Sequence, residues 1–226
     1  MKDNSEREGI ISEIKKDWPA VLLIAALLIA GVLIYPHLPE RVPSHWNVHG
    51  QVDAYSSRFW GSFGLPLMAA GIYLLMVLVP RIDPRKDNYV RFKGAYRYIK
   101  LGLTAFMVLL HTVIVLSSLG HQIPVDRFVI TGIGFLFMLI GNFMGQFRHN
   151  YFVGIKTPWT LASEEVWQKT HRMASRIWFG SGLVTVLTGL FSGGTLGFII
   201  FSSVMAVAVI IPLVYSYIIF KQIKNA

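Results

Sequence analysis

Apolar residues in this chain are gathered into six long runs separated by short polar segments. A helix rises about 1.5 Å per residue, so about 20 apolar residues cross the roughly 30 Å hydrocarbon core of a bilayer. The pattern predicts six transmembrane helices: Trp18–Tyr35, Trp60–Pro80, Leu101–Gly120, Phe128–Phe147, Ala174–Phe191 and Gly194–Phe220. The fifth run is the least apolar, because Arg176 lies in its first turn and must extend toward the interface.

Composition agrees with this pattern and excludes a soluble domain. Of the 226 residues, 54% are hydrophobic and 15% are charged, which is too apolar for a water-soluble protein of this length. We therefore predict an all-α integral membrane protein whose first partner is the lipid bilayer. The absence of cysteine removes disulfides and thiolate metal sites from consideration.

The net charge of +9 is distributed in a way that indicates membrane topology instead of nucleic-acid binding. Nearly all Lys and Arg residues lie before the first run, after the second, after the fourth and after the sixth. The positive-inside rule then places both termini and the loop after the fourth run in the cytoplasm, and the loop Pro36–Phe59 outside. We expect no direct contact with nucleic acid.

Three regions follow from this organisation. Residues 1–17 are predicted to be a cytoplasmic amphipathic segment, since Ile10, Ile11 and Ile14 are spaced along one helical face before Trp18. Residues 1–17 contain five acidic and four basic side chains, and this charge balance and the lack of a cleavage site favour a retained anchor over a signal peptide. Residues 18–100 form a front membrane domain with two spans, and residues 101–226 form a domain with four.

The cytoplasmic loop after the fourth run carries a helix signal and two interfacial aromatic residues. Ser163, followed by two glutamates, is a typical helix N-cap, which predicts an interfacial helix from Glu164 toward Arg176. Trp167 and His171 would share one face of it with Ala174, and that face can lie on the bilayer or on the helical bundle. Upstream, Gly154 permits a sharp bend and Pro158 holds Thr157 extended, while Trp159 and Trp167 suit the headgroup level.

Histidines in two other places admit more than one interpretation. In the outer loop, His45, His49 and Asp53 recur at every fourth position and could bind zinc. Pro43 and Gly50 would interrupt a helix there, so we favour a hydrogen-bonded structural loop without metal. His111 lies in the middle of the third run, where it is either neutral and bonded to a neighbouring helix or serves proton coupling or ligand contact.

The inner loop closely resembles the signature of the SdpI family of bacterial membrane immunity proteins. The match consists of Gly-Ile-Lys-Thr-Pro-Trp-Thr-Leu at 154–161, Glu-Glu-Val-Trp at 164–167 and Lys-Thr-His at 169–171. The outer loop, with Val-Pro-Ser-His-Trp-Asn-Val-His-Gly-Gln-Val-Asp at 42–53, is similar to the small membrane domain at the front of longer SdpI-like proteins. The family usually has Arg at the position of Lys156 and often Pro at that of His149.

The resemblance implies a multi-pass protein of the bacterial plasma membrane that protects against a secreted toxin which collapses the proton gradient. It also implies a possible second role, in which toxin binding outside leads to capture of a transcriptional repressor inside. The residues that it points to lie in two sets. The inner signature surface is Asn150, Gly154, Lys156, Thr157, Pro158, Trp159, Thr160, Trp167 and His171. The outer set is His45, Trp46, Asn47, His49, Gly50 and Asp53, with His111 as an intramembrane candidate.

Two other classes of function remain open from the residues alone. A small transporter or exporter would make use of His111 and Asn142 inside spans, although the spans contain few charged residues for ion coupling. A membrane metallohydrolase would use the outer histidines, but the chain has no His-Glu-x-x-His pattern and no nucleophile motif. We therefore predict that the protein is not an enzyme and has no cofactor.

Overall fold

The structure is a computed structural model that describes residues 11–225. The predicted amphipathic segment therefore falls partly outside the described residues, with Ile10 among those omitted, and residues 11–16 of it are helical (α1). The remaining elements are α2 (Trp18–Ile34), β1 (Arg41–Trp46), β2 (Val52–Ser57), α3 (Arg58–Ile82), α4 (Lys93–Ser118), α5 (Val125–Met144), α6 (Pro158–Ala162), α7 (Glu164–Phe191) and α8 (Gly194–Asn225). Short 3₁₀ turns lie at Tyr35–His37 and Lys86–Phe92.

Six of these helices, α2, α3, α4, α5, α7 and α8, are long and apolar enough to cross a membrane. This confirms the predicted number of spans. Large apolar side chains remain exposed along them, as at Leu33, Leu75 and Phe191. Such side chains are tolerated where the surrounding solvent is lipid, so the exposed faces agree with a bilayer environment.

The outer loop departs from the all-α prediction, because it folds as an antiparallel β-hairpin of β1 and β2. Asn47 closes the turn, since its Oδ1 accepts the Gln51 N–H at 3.1 Å while its own N–H donates to the Gln51 carbonyl at 2.9 Å. Gly50 completes the turn with φ of 74°. Val42 of β1 is fully buried, and its side chain lies next to Gly61 of α3. The same turn residues that argued against a helix thus allow a hairpin.

Two predicted boundaries in the polar regions were wrong. The third span begins at Lys93 instead of Leu101, so α4 carries Lys100 inside it. The predicted interfacial helix is the first part of α7, which runs from Glu164 to Phe191 without a break. The Ser163 cap itself is present, with its Oγ accepting the Val166 N–H at 3.3 Å. Helical hydrogen bonding simply continues into the lipid-spanning residues, since nothing at Ala174 interrupts it.

The chain divides into two compact units. The first comprises residues 1–47, 51–79 and 100–125, and its apolar core joins Ile24 and Leu27 of α2 to Ala69 of α3 and Met107 of α4. The second comprises residues 48–50, 80–99 and 126–226. In the second unit α5 and α7 approach so closely that a Cβ atom added to Gly134 would lie 2.6 Å from the Val186 nitrogen.

A buried ion cluster in the first unit was missed by the sequence interpretation, which assigned Lys100 to a basic loop. The Lys100 ammonium donates to Glu13 at 2.8 Å and pairs with Asp17. Lys100 and Asp17 are each 3% exposed, and the Tyr73 hydroxyl lies 3.3 Å from Asp17 Oδ2. The cluster therefore connects the segment before α2 to α3 and α4.

Candidate functional site

Asn150 is the centre of the loop that follows α5. Its Oδ1 accepts the N–H groups of Phe152 at 2.9 Å and Val153 at 2.7 Å, and its Nδ2 donates to the carbonyls of Arg148 and Val153 at 2.8 and 2.9 Å. The side chain is fully buried. Since its amide is already engaged by the loop backbone, Asn150 shapes the loop and does not offer a free binding group.

A second anchor of this loop is Asp83, which the sequence interpretation did not single out. Its Oδ2 accepts the Tyr151 N–H and the Tyr89 hydroxyl, each at 3.0 Å, and Tyr89 also lies 3.2 Å from Asn150 Oδ1. Asp83 is 2% exposed. Its partner Tyr151 lies 68 residues away in the sequence, so no local sequence pattern identifies Asp83 as an anchor. The loop is therefore held both from within and from the segment before α4.

His171 fixes the middle of the loop. Its Nδ1 donates to the Trp167 carbonyl at 2.8 Å, so Nε2 is unprotonated and accepts the Ile155 N–H at 2.9 Å. The imidazole stacks on the Trp167 indole with ring centroids 4.1 Å apart, and the indole Nε1 donates to the Phe147 carbonyl at 2.9 Å. Both hydrogen bonds require a neutral imidazole. Because both ring nitrogens are engaged in this way, His171 positions the loop.

The predicted cytoplasm-facing position of Trp167 and His171 is therefore wrong, because both side chains are fully buried. The spacing of four residues correctly placed them on one helical face. Of the two alternatives for that face, the bilayer and the protein itself, the structure shows the second, because the face packs against the loop and Phe147. Periodicity identifies a shared face but does not say what the face contacts.

Pro158 begins the short helix α6, and two threonines stabilise it. Thr157 Oγ1 accepts the Thr160 N–H at 3.1 Å, and Thr160 Oγ1 accepts the Thr157 N–H at 2.9 Å, which is a reciprocal capping arrangement. Thr157 Oγ1 also lies 3.1 Å from Ser216 Oγ of α8. Both threonines are buried, so they join α6 to the last helix.

The signature residues that stay accessible form a smaller set. Lys156 and Pro158 are exposed, and Trp159 is half-buried against the Tyr217 ring at a centroid distance of 5.0 Å. Tyr151 and Phe152 are 41% and 40% exposed. We call Tyr151, Phe152, Lys156 and Trp159 the inner face. It combines one cation with three aromatic rings, a composition that suits either a membrane interface or a protein partner.

His149 lies behind this face. It is buried, its ring centroid is 5.1 Å from that of Trp167, and its carbonyl accepts the Asn88 amide at 2.7 Å. Burial lowers the pKa of His149 from its usual value, and the nearby Arg85 guanidinium lowers that pKa further. The imidazole is therefore neutral at physiological pH and packs as an aromatic ring.

Of the three outer residues that share a four-residue spacing, the structure brings His45 and Asp53 together and places His49 against another residue. His45 Nδ1 lies 2.5 Å from Asp53 Oδ1, and both side chains are exposed on the hairpin. His49 instead lies with its Nδ1 3.2 Å from Thr195 Oγ1. Within residues 11–225, no group of three or more His, Cys, Asp or Glu side chains could hold a metal ion. Trp46 pairs with Val52 across the strands, where the side chains of both are half-buried.

His111 is buried in α4 at 3% exposure, as expected for a residue that faces the bundle. The prediction that it bonds to a neighbouring helix is wrong. Neither ring nitrogen has a hydrogen-bond partner among the residues that the structure describes. An imidazole in this situation is unusual, because buried polar atoms are nearly always paired.

Comparison with known proteins places both loops in families. Residues 146–216, which contain the inner loop, match the SdpI/YfhL protein family. Residues 22–70, which contain the hairpin, match a domain of unknown function, DUF1648. The chain is 24% identical over 212 residues to the Immunity protein SdpI of Bacillus subtilis (strain 168), an alignment that covers 94% of this chain and 99% of the relative.

The chain is thus similar to proteins of the SdpI family. With its six membrane-competent helices, the chain is a multi-pass protein of the plasma membrane. No solved structure matches the chain. These matches confirm the resemblance predicted from the outer loop and from the loop between α5 and α7, which we call the signature loop.

Proposed function

We propose that this protein is a membrane immunity protein that protects the cell against a secreted, membrane-active peptide. The observation that carries the proposal is the alignment with Immunity protein SdpI, which spans nearly the full length of both chains. A match restricted to one domain would support a shared fold alone. We propose no catalytic role, and the family is not an enzyme family.

The signature loop supports a binding function for its exposed part. Asn150, Thr157, Thr160, Trp167 and His171 are buried and hydrogen-bonded within the second unit. This packing fixes the backbone on both sides of Lys156, and Trp159 packs against Tyr217. Pre-organised aromatic and cationic groups bind a partner at a lower entropic cost than mobile ones. We extend the proposal to a cytoplasmic protein partner, a transcriptional repressor, captured on the inner face.

This assignment requires the inner face to lie in the cytoplasm and the hairpin outside. The distribution of Lys and Arg supports that orientation, since seven of them lie between Arg81 and Lys100 alone. The chain contains no cysteine, so single-cysteine variants can report on it. With an impermeant maleimide on intact cells, we expect labelling of His45→Cys and none of Lys156→Cys until the membrane is permeabilised. The reverse pattern would contradict the proposed orientation.

Protection is measured most directly in cells that are sensitive to the peptide. We expect cells that express the chain to keep their membrane potential, read with a potential-sensitive dye, when they meet the secreted peptides of a producing strain. Cells that carry the empty vector should depolarise. Depolarisation of both would contradict the immunity proposal, and peptide-independent solute uptake into vesicles containing the purified protein would favour a transporter.

The same assay tests the inner face. We expect Lys156→Ala or Trp159→Ala to abolish protection or repressor recruitment at unchanged protein abundance, because each side chain would contact the partner directly. Lys169→Ala is the matched control, since Lys169 is an exposed lysine of the same unit that pairs with Glu165 at 2.8 Å and should contribute under about 1 kcal/mol to stability. If both inner-face variants protect fully and still recruit the repressor, the inner face is not the binding surface.

A further inference from the structure

The first unit contains a cavity of about 550 Å³ between α2 and α4. Its walls are almost entirely apolar and include Leu33, Ile34, Val115 and Leu116. Two histidines also belong to the lining. His37 follows the end of α2, and His111 is the first of the lining residues that α4 contributes. The volume falls within the range of pockets that hold small molecules or protein side chains.

His111 distinguishes this cavity from an ordinary apolar groove between helices, because it places unpaired polar atoms at the lining. It lies seven residues before the end of α4 at Ser118, which corresponds to about 10 Å along the helix. Both ring nitrogens are buried without a partner among the described residues. An unpaired buried polar group costs roughly 1–3 kcal/mol. Neither nitrogen is accessible in this conformation, so a ligand would recover that energy once the imidazole turns a nitrogen toward the cavity and accepts or donates a hydrogen bond there.

The depth argues against an ordinary lipid as the intended occupant. An acyl chain can fill the apolar lining, but it offers no hydrogen-bonding group, and the polar part of a lipid stays near the headgroup region. A peptide that inserts into the membrane can carry a polar side chain on an otherwise apolar surface. The cavity lies at the ends of α2 and α4 nearest the hairpin, which the charge distribution places outside.

We propose that this cavity is a docking site for an apolar segment of the membrane-active peptide, with one polar side chain of that segment bonded to His111. The inference rests on the proposed immunity function and adds where recognition takes place. Recognition then occurs in the first unit and within the membrane, apart from the signature loop, which belongs to the second unit.

Photocrosslinking can test the location without disturbing His111. The cysteine-free chain permits a benzophenone-maleimide label at Val115→Cys, in the cavity, and at Ala105→Cys as the control, an exposed position of α4 outside the cavity lining. The probe is the purified peptide against which the chain protects in the dye assay. We expect the peptide to crosslink at position 115 and not at 105. Crosslinking to lipid alone at position 115 would overturn the proposal.

Substitution of His111 tests the hydrogen bond. We expect His111→Leu to weaken peptide binding to vesicles containing the protein by about tenfold, the factor for loss of one hydrogen bond, and His111→Gln to retain most of the affinity. Equal binding by wild type and His111→Leu would overturn the role of His111. If the wild-type chain protects cells but no cavity position crosslinks, this inference fails and the immunity function stands. If the wild-type chain does not protect, both fail.

Discussion

Replacement of Lys100 by methionine is expected to destabilise the first unit by about 3–5 kcal/mol, the range for breaking a buried ion pair from one side. The reason is the charge that remains. Asp17 is 3% exposed and pairs with the Lys100 ammonium, while Glu13 lies 2.8 Å from it on the same side. Without the cation, the buried Asp17 carboxylate loses its ion pair with Lys100, while Glu13, whose side chain is 29% exposed, remains partly hydrated.

Lys93→Met provides the matched control for this prediction. Lys93 lies in the same helix and is exposed, so the same substitution should change stability by no more than about 0.5 kcal/mol. Unfolding by SDS, followed by tryptophan fluorescence of the purified protein, measures both variants. Equal stability of Lys100→Met and Lys93→Met would show that the cluster has no stabilising role.

A compensating variant separates loss of charge balance from loss of side-chain packing. We expect Asp17→Asn combined with Lys100→Met to recover part of the stability, because the amide removes one buried negative charge. The Tyr73 hydroxyl at 3.3 Å can still donate to the amide oxygen. A double variant as unstable as the sum of the two single variants would indicate that packing of the lysine stem, rather than its charge, is what matters.

The spans were predictable from the sequence because lipid imposes a simple rule on composition. A helix that crosses hydrocarbon must be apolar over most of its length, so α2, α5 and α8 lie close to their predicted ranges. The rule weakens where a polar side chain is buried inside the protein. Lys100 was assigned to a loop for this reason, and its partners Asp17 and Glu13 lie far from it in the sequence.

The sequence predicted where the signature loop lies in the chain, but it did not predict how the loop packs. Its residues match the SdpI/YfhL family model, and Ser163, Thr157 and Gly154 carry recognisable local signals for a cap and a bend. Burial of Trp167 and His171 depends on Phe147 and Ile155, which lie in other parts of the chain. Local patterns specify helical faces and turns, whereas the occupant of a face depends on tertiary contacts.

The Gly154→Ala variant is expected to disrupt the signature loop and abolish protection. Gly154 has φ of 123°, a conformation that residues with a side chain rarely adopt, and a Cβ there would lie 2.4 Å from His171 Nε2. The imidazole cannot move aside, because it is bonded at 2.8 Å to the Trp167 carbonyl and stacked on the indole. The loop must move instead, which breaks the 2.9 Å bond from the Ile155 N–H.

The expected cost is at least about 1–3 kcal/mol from backbone strain, with the clash added to it. Gly180→Ala is the control: Gly180 lies in α7 of the same unit, with no atom within 4 Å of an added Cβ, and helix propensity favours alanine there by up to about 1 kcal/mol. SDS unfolding and the potential-sensitive dye give the two measurements. If Gly154→Ala protects cells as well as Gly180→Ala, the loop does not need this geometry, and the link from His171 through Ile155 to the exposed Lys156 fails as an account of how the inner face is positioned.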